Sequence, residues 1–191
     1  AKTAALATYF REAPEADRIW TIALLTGRRP KRSVNSTELR LWAAEAAGIP
    51  DWLFEESYAV VGDLAETIAL LLPPPVAASD MTLDQAIRGL TSLTGQPPAV
   101  RRAAVLAAWG QLTATERLLY NKLLTGGFRM GVAQGLLTRA LAQATGVEET
   151  VLAHRLMGDW DPAQTTLPAR IAGEDGRNAR PYPFALASQL E

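Results

Sequence analysis

The chain has 191 residues, 48% of them apolar, and a formal net charge of −1, which suits one globular domain, or a domain with a tail, around a sizeable core. It has no cysteine and one histidine, which excludes disulfides and thiolate metal sites and leaves zinc without its usual ligands, so no metal site is expected. No signal peptide or lipidation motif is visible, and the longest apolar run, Ile68 to Leu72, is far too short to cross a bilayer; a cytoplasmic protein with no membrane partner is expected.

Periodicity is helical nearly everywhere, and β-branched alternation is scarce, so the expected fold class is all-α. Ala4, Ala5, Leu6, Tyr9 and Phe10 share one helical stripe. Pro14 starts a second helix, with Ile19, Ile22, Ala23 and Leu25 inward and Gly27 as its stop. Ser36 is the expected N-cap of a third, with Leu39, Trp42 and Ala43 buried and Gly48 ending it. A helix from Pro50-Asp51 holds Trp52, Phe54 and Tyr58, and Gly62-Asp63 either interrupts it or begins another that runs to Leu72. Pro73-Pro74-Pro75 marks a linker over 73–80, which divides the helical region into two halves. Asp80 or Thr82 caps the next helix, Ala99 to Trp109 follows, and Thr113 to Glu116 reads as a capping box. Val132 to Thr145 and Glu148 to Met157 complete the pattern, with one short turn over 161–167. From Pro168 the periodicity disappears, so residues 168–191 are expected to be an extended tail behind a helical domain of about ten helices over residues 1–167.

Charge is segregated along the chain. Between Arg40 and Arg88 there is no Lys or Arg, yet eight acidic residues lie there, from Glu45 to Asp84. Basic residues gather outside that stretch: Arg28, Arg29, Lys31 and Arg32 in one loop, then Arg101, Arg102, Arg117, Lys122, Arg129 and Arg139. A near-neutral total can therefore conceal a basic face suited to phosphates, the plain alternative for each cluster being a solvated surface. The five tryptophans fall mostly on apolar stripes, which assigns them to the core rather than to base stacking.

The segment Lys122 to Val132 is the most informative. Gly126, Gly127 and Gly131 fall between two helices, flanked by Lys122 and Arg129. Glycines before a helix start offer free backbone N–H groups at the positive end of the helix dipole, which makes an anion site. The plain alternative is a glycine-rich connector. Asp63 and Glu66 share a helix face where a cation would fit, but a helix cap at Asp63 is the simpler reading.

Thr125-Gly126-Gly127-Phe128-Arg129-Met130-Gly131, with the apolar helix after it, resembles the DNA-binding domain of ATP-dependent DNA ligases. So do Ser57 to Thr67, around Gly62-Asp63, and Pro181 to Ala187, which looks like the start of the family's adenylation domain; the three occur in the family's order. The flavour is that of the bacterial branch, associated with DNA repair. The resemblance implies a multi-helix DNA-binding domain, with 168–191 as linker and start of a truncated adenylation domain. It implies a partner, nicked duplex DNA, held through phosphates and the minor groove without sequence preference, and a nucleoid-associated ligase that seals nicks in repair or replication. Gly62, Asp63, Lys122, Thr125, Gly126, Gly127, Arg129 and Gly131, with Arg28, Arg29, Lys31 and Arg32, are the DNA-binding residues it suggests. The ligase's own catalytic domains would complete the grip, and ATP and Mg2+ would serve them rather than this fragment.

Catalysis itself is not expected here. The family's adenylated lysine lies in Lys-x-Asp-Gly, and none of Lys2, Lys31 and Lys122 is followed by that pattern; Gly173-Glu174-Asp175-Gly176 has glycine where the nucleophile belongs. The chain should therefore acquire no label from α-labelled ATP on denaturing electrophoresis, and a labelled band would contradict the fragment reading. His154 sits beside Val151 and Leu152 at helical spacing, which suits a structural or surface position. Two other classes compete: an α-helical scaffold for protein–protein interaction, and a small-molecule enzyme with a helical pocket. Salt-dependent duplex binding separates the first from a DNA binder, and a thermal-shift screen with nucleotides tests the second.

Overall fold

In a computed structural model the described residues are 1–75, 79–128 and 132–172. They form eleven α-helices and no strand, in agreement with the all-α expectation. The chain divides into two compact units, residues 1–22 with 132–191, and residues 23–131.

The first unit contains α1 (Lys2–Glu12), most of α2 (Glu15–Leu25), α9 (Gln134–Thr145), α10 (Glu149–Leu156) and α11 (Leu167–Ala172). α9 packs against α1 and α10, and α10 against α11. Phe10, Ile19, Leu137, Leu141 and Leu152 are almost wholly buried. The start of the expected extended tail is helical: α11 runs through Pro168 and buries Leu167 and Arg170. Proline is tolerated in the first turn of a helix, where its missing N–H has no partner to lose. Thr166 also accepts the Ala169 amide at 3.3 Å, so what reads as a breaker starts a helix. The remaining tail, 173–191, including the stretch Pro181 to Ala187, lies outside the described residues.

The second unit contains α3 (Ser36–Ala47), α4 (Asp51–Val61), α5 (Leu64–Leu71), α6 (Leu83–Ser92), α7 (Pro98–Gln111) and α8 (Ala114–Thr125). α5 lies against α8; α3 touches α4, α5 and α7. Leu39, Phe54, Ile68, Ile87, Val105 and Leu124 fill the core. Polar side chains link its centre: the Trp109 indole N–H donates to Asn121 Oδ1 at 2.7 Å, and the Asn121 amide donates to Ala65 O at 3.3 Å. Arg117, 3% exposed, donates to Trp109 O at 2.7 Å and Pro73 O at 2.6 Å, which ties the end of α5 to the α7–α8 corner.

The capping box at Thr113 forms as expected; of the two candidate caps before α6 it is Thr82 that caps, and Gln85 completes a box there too. The third helix is capped one residue earlier than expected: Asn35, not Ser36, accepts the Glu38 amide at 2.8 Å. Asparagine caps as well as serine, and only from Asn35 does Glu38 fall three residues on and close the box. Trp20, Trp42 and Trp109 are core residues as predicted, whereas Trp52 is 66% exposed.

Candidate nucleic-acid interface

Gly62 ends α4 with φ 75° and ψ 1°, and Gly126 ends α8 with φ 66° and ψ 16°. Both are left-handed terminators, a conformation that a side chain strains. This corrects the expectation that the glycine turn offers amides at a helix start. α9 begins only at Gln134, and Gly126 sits at the carbonyl end of α8. The Gly62 amide donates to Tyr58 O at 2.8 Å and the Gly126 amide to Leu123 O at 3.4 Å. The Gly127 amide donates to Thr125 Oγ1 at 3.4 Å. Glycine between two helical segments is compatible with either geometry, and spacing alone does not choose.

The two turns meet through side chains. Asp63 caps α5 by accepting the Glu66 amide at 3.0 Å, and its other oxygen pairs with Lys122 in the last turn of α8. The Lys122 hydrogen bond, helped by the Glu66 amide and opposed by burial, holds the Asp63 carboxyl below the usual carboxylate range. Asp63 is therefore a helix cap, as the simpler reading held, and also a lysine partner, so Lys122 is not a free cation.

The basic loop approaches the same corner. Arg29 Nη1 donates to Gly126 O at 2.9 Å, and Arg32 lies so close that a Cβ on Gly126 would meet its Nε at 3.0 Å. Cations belong at a helix C-terminus, where unpaired carbonyls concentrate negative potential. Arg29, Lys31 and Arg32 are exposed, and Arg28 is half-buried with its guanidinium donating to Thr26 Oγ1 at 3.0 Å. Gly62, Asp63, Lys122, Thr125, Gly126, Gly127, Arg29 and Arg32 thus gather at the adjoining ends of α4, α5 and α8. Arg129 and Gly131 lie outside the described residues.

One positioning residue has no local signature in the sequence. Arg101 on α7 forks onto Glu38 at 2.6 and 2.8 Å and donates to Ser33 O at 3.0 Å, which fixes the exit of the basic loop. Arg102 pairs with Glu45 at 2.7 Å, Arg139 with Glu149 at 3.9 Å, and Arg117 is buried. Among the described residues of the second unit, the exposed positive charge outside these pairs includes Arg29, Lys31 and Arg32 of the basic loop.

The Asp63–Lys122 pair makes stability pH-dependent. A carboxyl held low in the folded chain contributes stability above its unfolded value, lost as pH falls from about 4 through the folded value. Asp63→Asn keeps a capping oxygen and should flatten that acid limb, by about 1 kcal/mol at most for so exposed a pair. Melting temperatures between about pH 6 and 3 measure it; an unchanged limb would contradict the assignment. Glu116, held low by the Thr113 amide and hydroxyl, stays in both proteins and sets the residual acid sensitivity.

An all-α chain whose second unit joins two glycine-terminated helices beneath a basic loop matches one class of protein. The sequence model of the family described as DNA ligase N terminus matches residues 1–142, and the chain belongs to that family. A probable DNA ligase of Rhodococcus jostii is 29% identical over 168 residues, covering 80% of this chain and 33% of the relative. A probable DNA ligase of Mycolicibacterium vanbaalenii is 31% identical over 107 residues, covering 54% and 20%. One from Rhodococcus opacus is 29% identical over 168 residues, covering 80% and 32%. The chain spans at most about a third of the length of these relatives. The resemblance to the N-terminal domain of an ATP-dependent ligase is borne out.

Proposed function

We propose that this chain is the part of an ATP-dependent DNA ligase that holds nicked duplex DNA, without sequence preference, for catalytic domains carried elsewhere on the ligase. The convergence of Arg29 and Arg32 on the Gly126 carbonyl end of α8, in a member of the DNA ligase N-terminus family, carries the reading. Nick sealing is chemistry on a backbone of any sequence, so phosphate contacts suffice and base-edge readout is unnecessary. A guanidinium has five N–H donors. Arg29 commits one group to Gly126 O, which pre-orders the side chain and leaves others for phosphate oxygens. Arg32 and Lys31 add charge beside it. Lys122 contributes less than its position suggests, because Asp63 neutralises it.

The lysines present do not fit an adenylation site. Lys31 is in the exposed basic loop, Lys122 is paired with Asp63, and Lys2 opens α1. The ATP- and Mg2+-dependent chemistry therefore belongs to another part of the ligase.

The test is affinity for several nicked duplexes of unrelated sequence, followed by fluorescence anisotropy, with two substitutions. Arg129→Ala should cost ~1–3 kcal/mol, the loss of one charged hydrogen bond, while His154→Ala leaves affinity unchanged. A strong preference for one duplex, or equal affinity for both variants and the parent with only the melting temperature of Arg129→Ala lowered, would count against the reading.

A further inference from the structure

The basic corner leaves one feature of the second unit without a role. α4 and α5 border an open groove of about 460 Å³ lined by Leu53, Val60, Val61, Leu70 and Leu71, with Glu56 in its wall. Val60 is 86% exposed and Leu70 67%. On α4 the lining side chains Leu53, Glu56, Ser57, Val60 and Val61 share one helix face, apolar at its two ends and polar between them, and exposed Trp52 stands beside Leu53. Large apolar side chains gathered in the open mark an interaction site.

Charge identifies the occupant. α4 and α5 lie wholly inside the stretch that has no Lys or Arg, and Asp51, Glu55, Glu56 and Glu66 are exposed on them. Arg40 reaches this region but is engaged by Glu55 at 3.1 Å and by the Tyr58 ring at 4.6 Å. Glu56 takes part in no ion pair among the described residues. An acidic border repels nucleic acid and anionic membranes, and it repels the same face of a second copy. The stripe from Leu53 to Val60 covers two helical turns, about 10 Å, the reach of one amphipathic helix with apolar anchors at i, i+3, i+4 and i+7.

We infer that the α4–α5 groove docks an amphipathic helix of a partner protein, whose apolar stripe is flanked by Lys or Arg. The inference stands apart from DNA binding, which uses a different cluster of side chains. Anisotropy of a labelled 16-residue helical peptide tests it, with leucines at the stripe positions and lysines on both flanks. Its controls are a glutamate-flanked twin and a lysine peptide scrambled to destroy the stripe. The lysine-flanked peptide should bind the full chain saturably, and both controls at least about tenfold more weakly. Val60→Ser with Leu70→Ser should weaken it by a similar factor, and Glu56→Lys with Glu66→Lys should shift preference toward the glutamate twin. All four positions are exposed, and a melting temperature on each variant confirms folding. Absence of binding, equal binding of all three peptides, indifference to the substitutions, or concentration-dependent dimerisation that Val60→Ser abolishes would each overturn the inference.

Discussion

Arg29→Glu combined with Arg32→Glu should lower affinity for nicked duplex DNA by a factor of about a hundred or more at low salt. Each substitution replaces a cation at a proposed phosphate contact with an anion, and a charged hydrogen bond contributes about 1.5–3 kcal/mol. Two such losses, reduced for solvent exposure, amount to roughly 3 kcal/mol, or about two powers of ten. Stability should change far less, because both side chains are exposed. Arg29→Glu does place a carboxylate beside the Gly126 carbonyl, an unfavourable meeting with the helix dipole of about 0.3–1 kcal/mol. Arg29→Gln with Arg32→Gln separates the effects, since it removes charge without reversing it and should fall between parent and double reversal. Affinity and urea midpoint measured on the same samples decide the matter. A lost midpoint with parental affinity would make these arginines structural clamps of the α8 terminus.

Arg117→Met should destabilise the second unit by about 2–5 kcal/mol, because it strands buried carbonyls rather than an opposite charge. Arg117 is 3% exposed and has no carboxylate among the ion pairs of the described residues. Its guanidinium is held by the carbonyls of Trp109, Pro73 and, at 3.4 Å, Leu72. Methionine fills much of the volume but leaves those carbonyls without donors, and each buried polar group so stranded costs about 1–3 kcal/mol. Arg117→Lys should be intermediate at best, because an ammonium on a flexible stem cannot fork across carbonyls from two elements. Urea denaturation followed by circular dichroism measures both; a loss under about 1 kcal/mol for Arg117→Met would mean water satisfies the carbonyls.

Legibility followed the range of each interaction. The box at Thr113–Glu116 was readable because both partners lie within one turn, and Thr82 was readable as one of two candidate caps for the same reason. Gly62 and Gly126 were readable as helix boundaries, but not as carbonyl ends, since a glycine between helices suits a terminator and a helix start alike. Pro168 misled because proline breaks a helix interior yet suits its first turn. The pairing of Asp63 with Lys122 was hidden by a separation of 59 residues, though each was singled out for its own turn. The Arg101–Glu38 brace, 63 residues apart, gave no local sign. The basic loop was visible as a charge cluster, but its approach to Gly126 depends on tertiary packing. Trp52 read as core like the other tryptophans yet is exposed, because apolar spacing does not say whether anything covers the face.

The dependence of nicked-duplex affinity on salt tests the proposed grip most directly. Three or four cationic contacts from the 28–32 loop and Arg129 would release nearly as many counterions, giving a log–log slope of about −2.7 to −3.6. Between 50 and 200 mM salt, affinity should then fall roughly 40- to 150-fold, by the same factor for duplexes of unrelated sequence. A flat salt response, or a slope that changes with sequence, would contradict phosphate binding as the work of this domain.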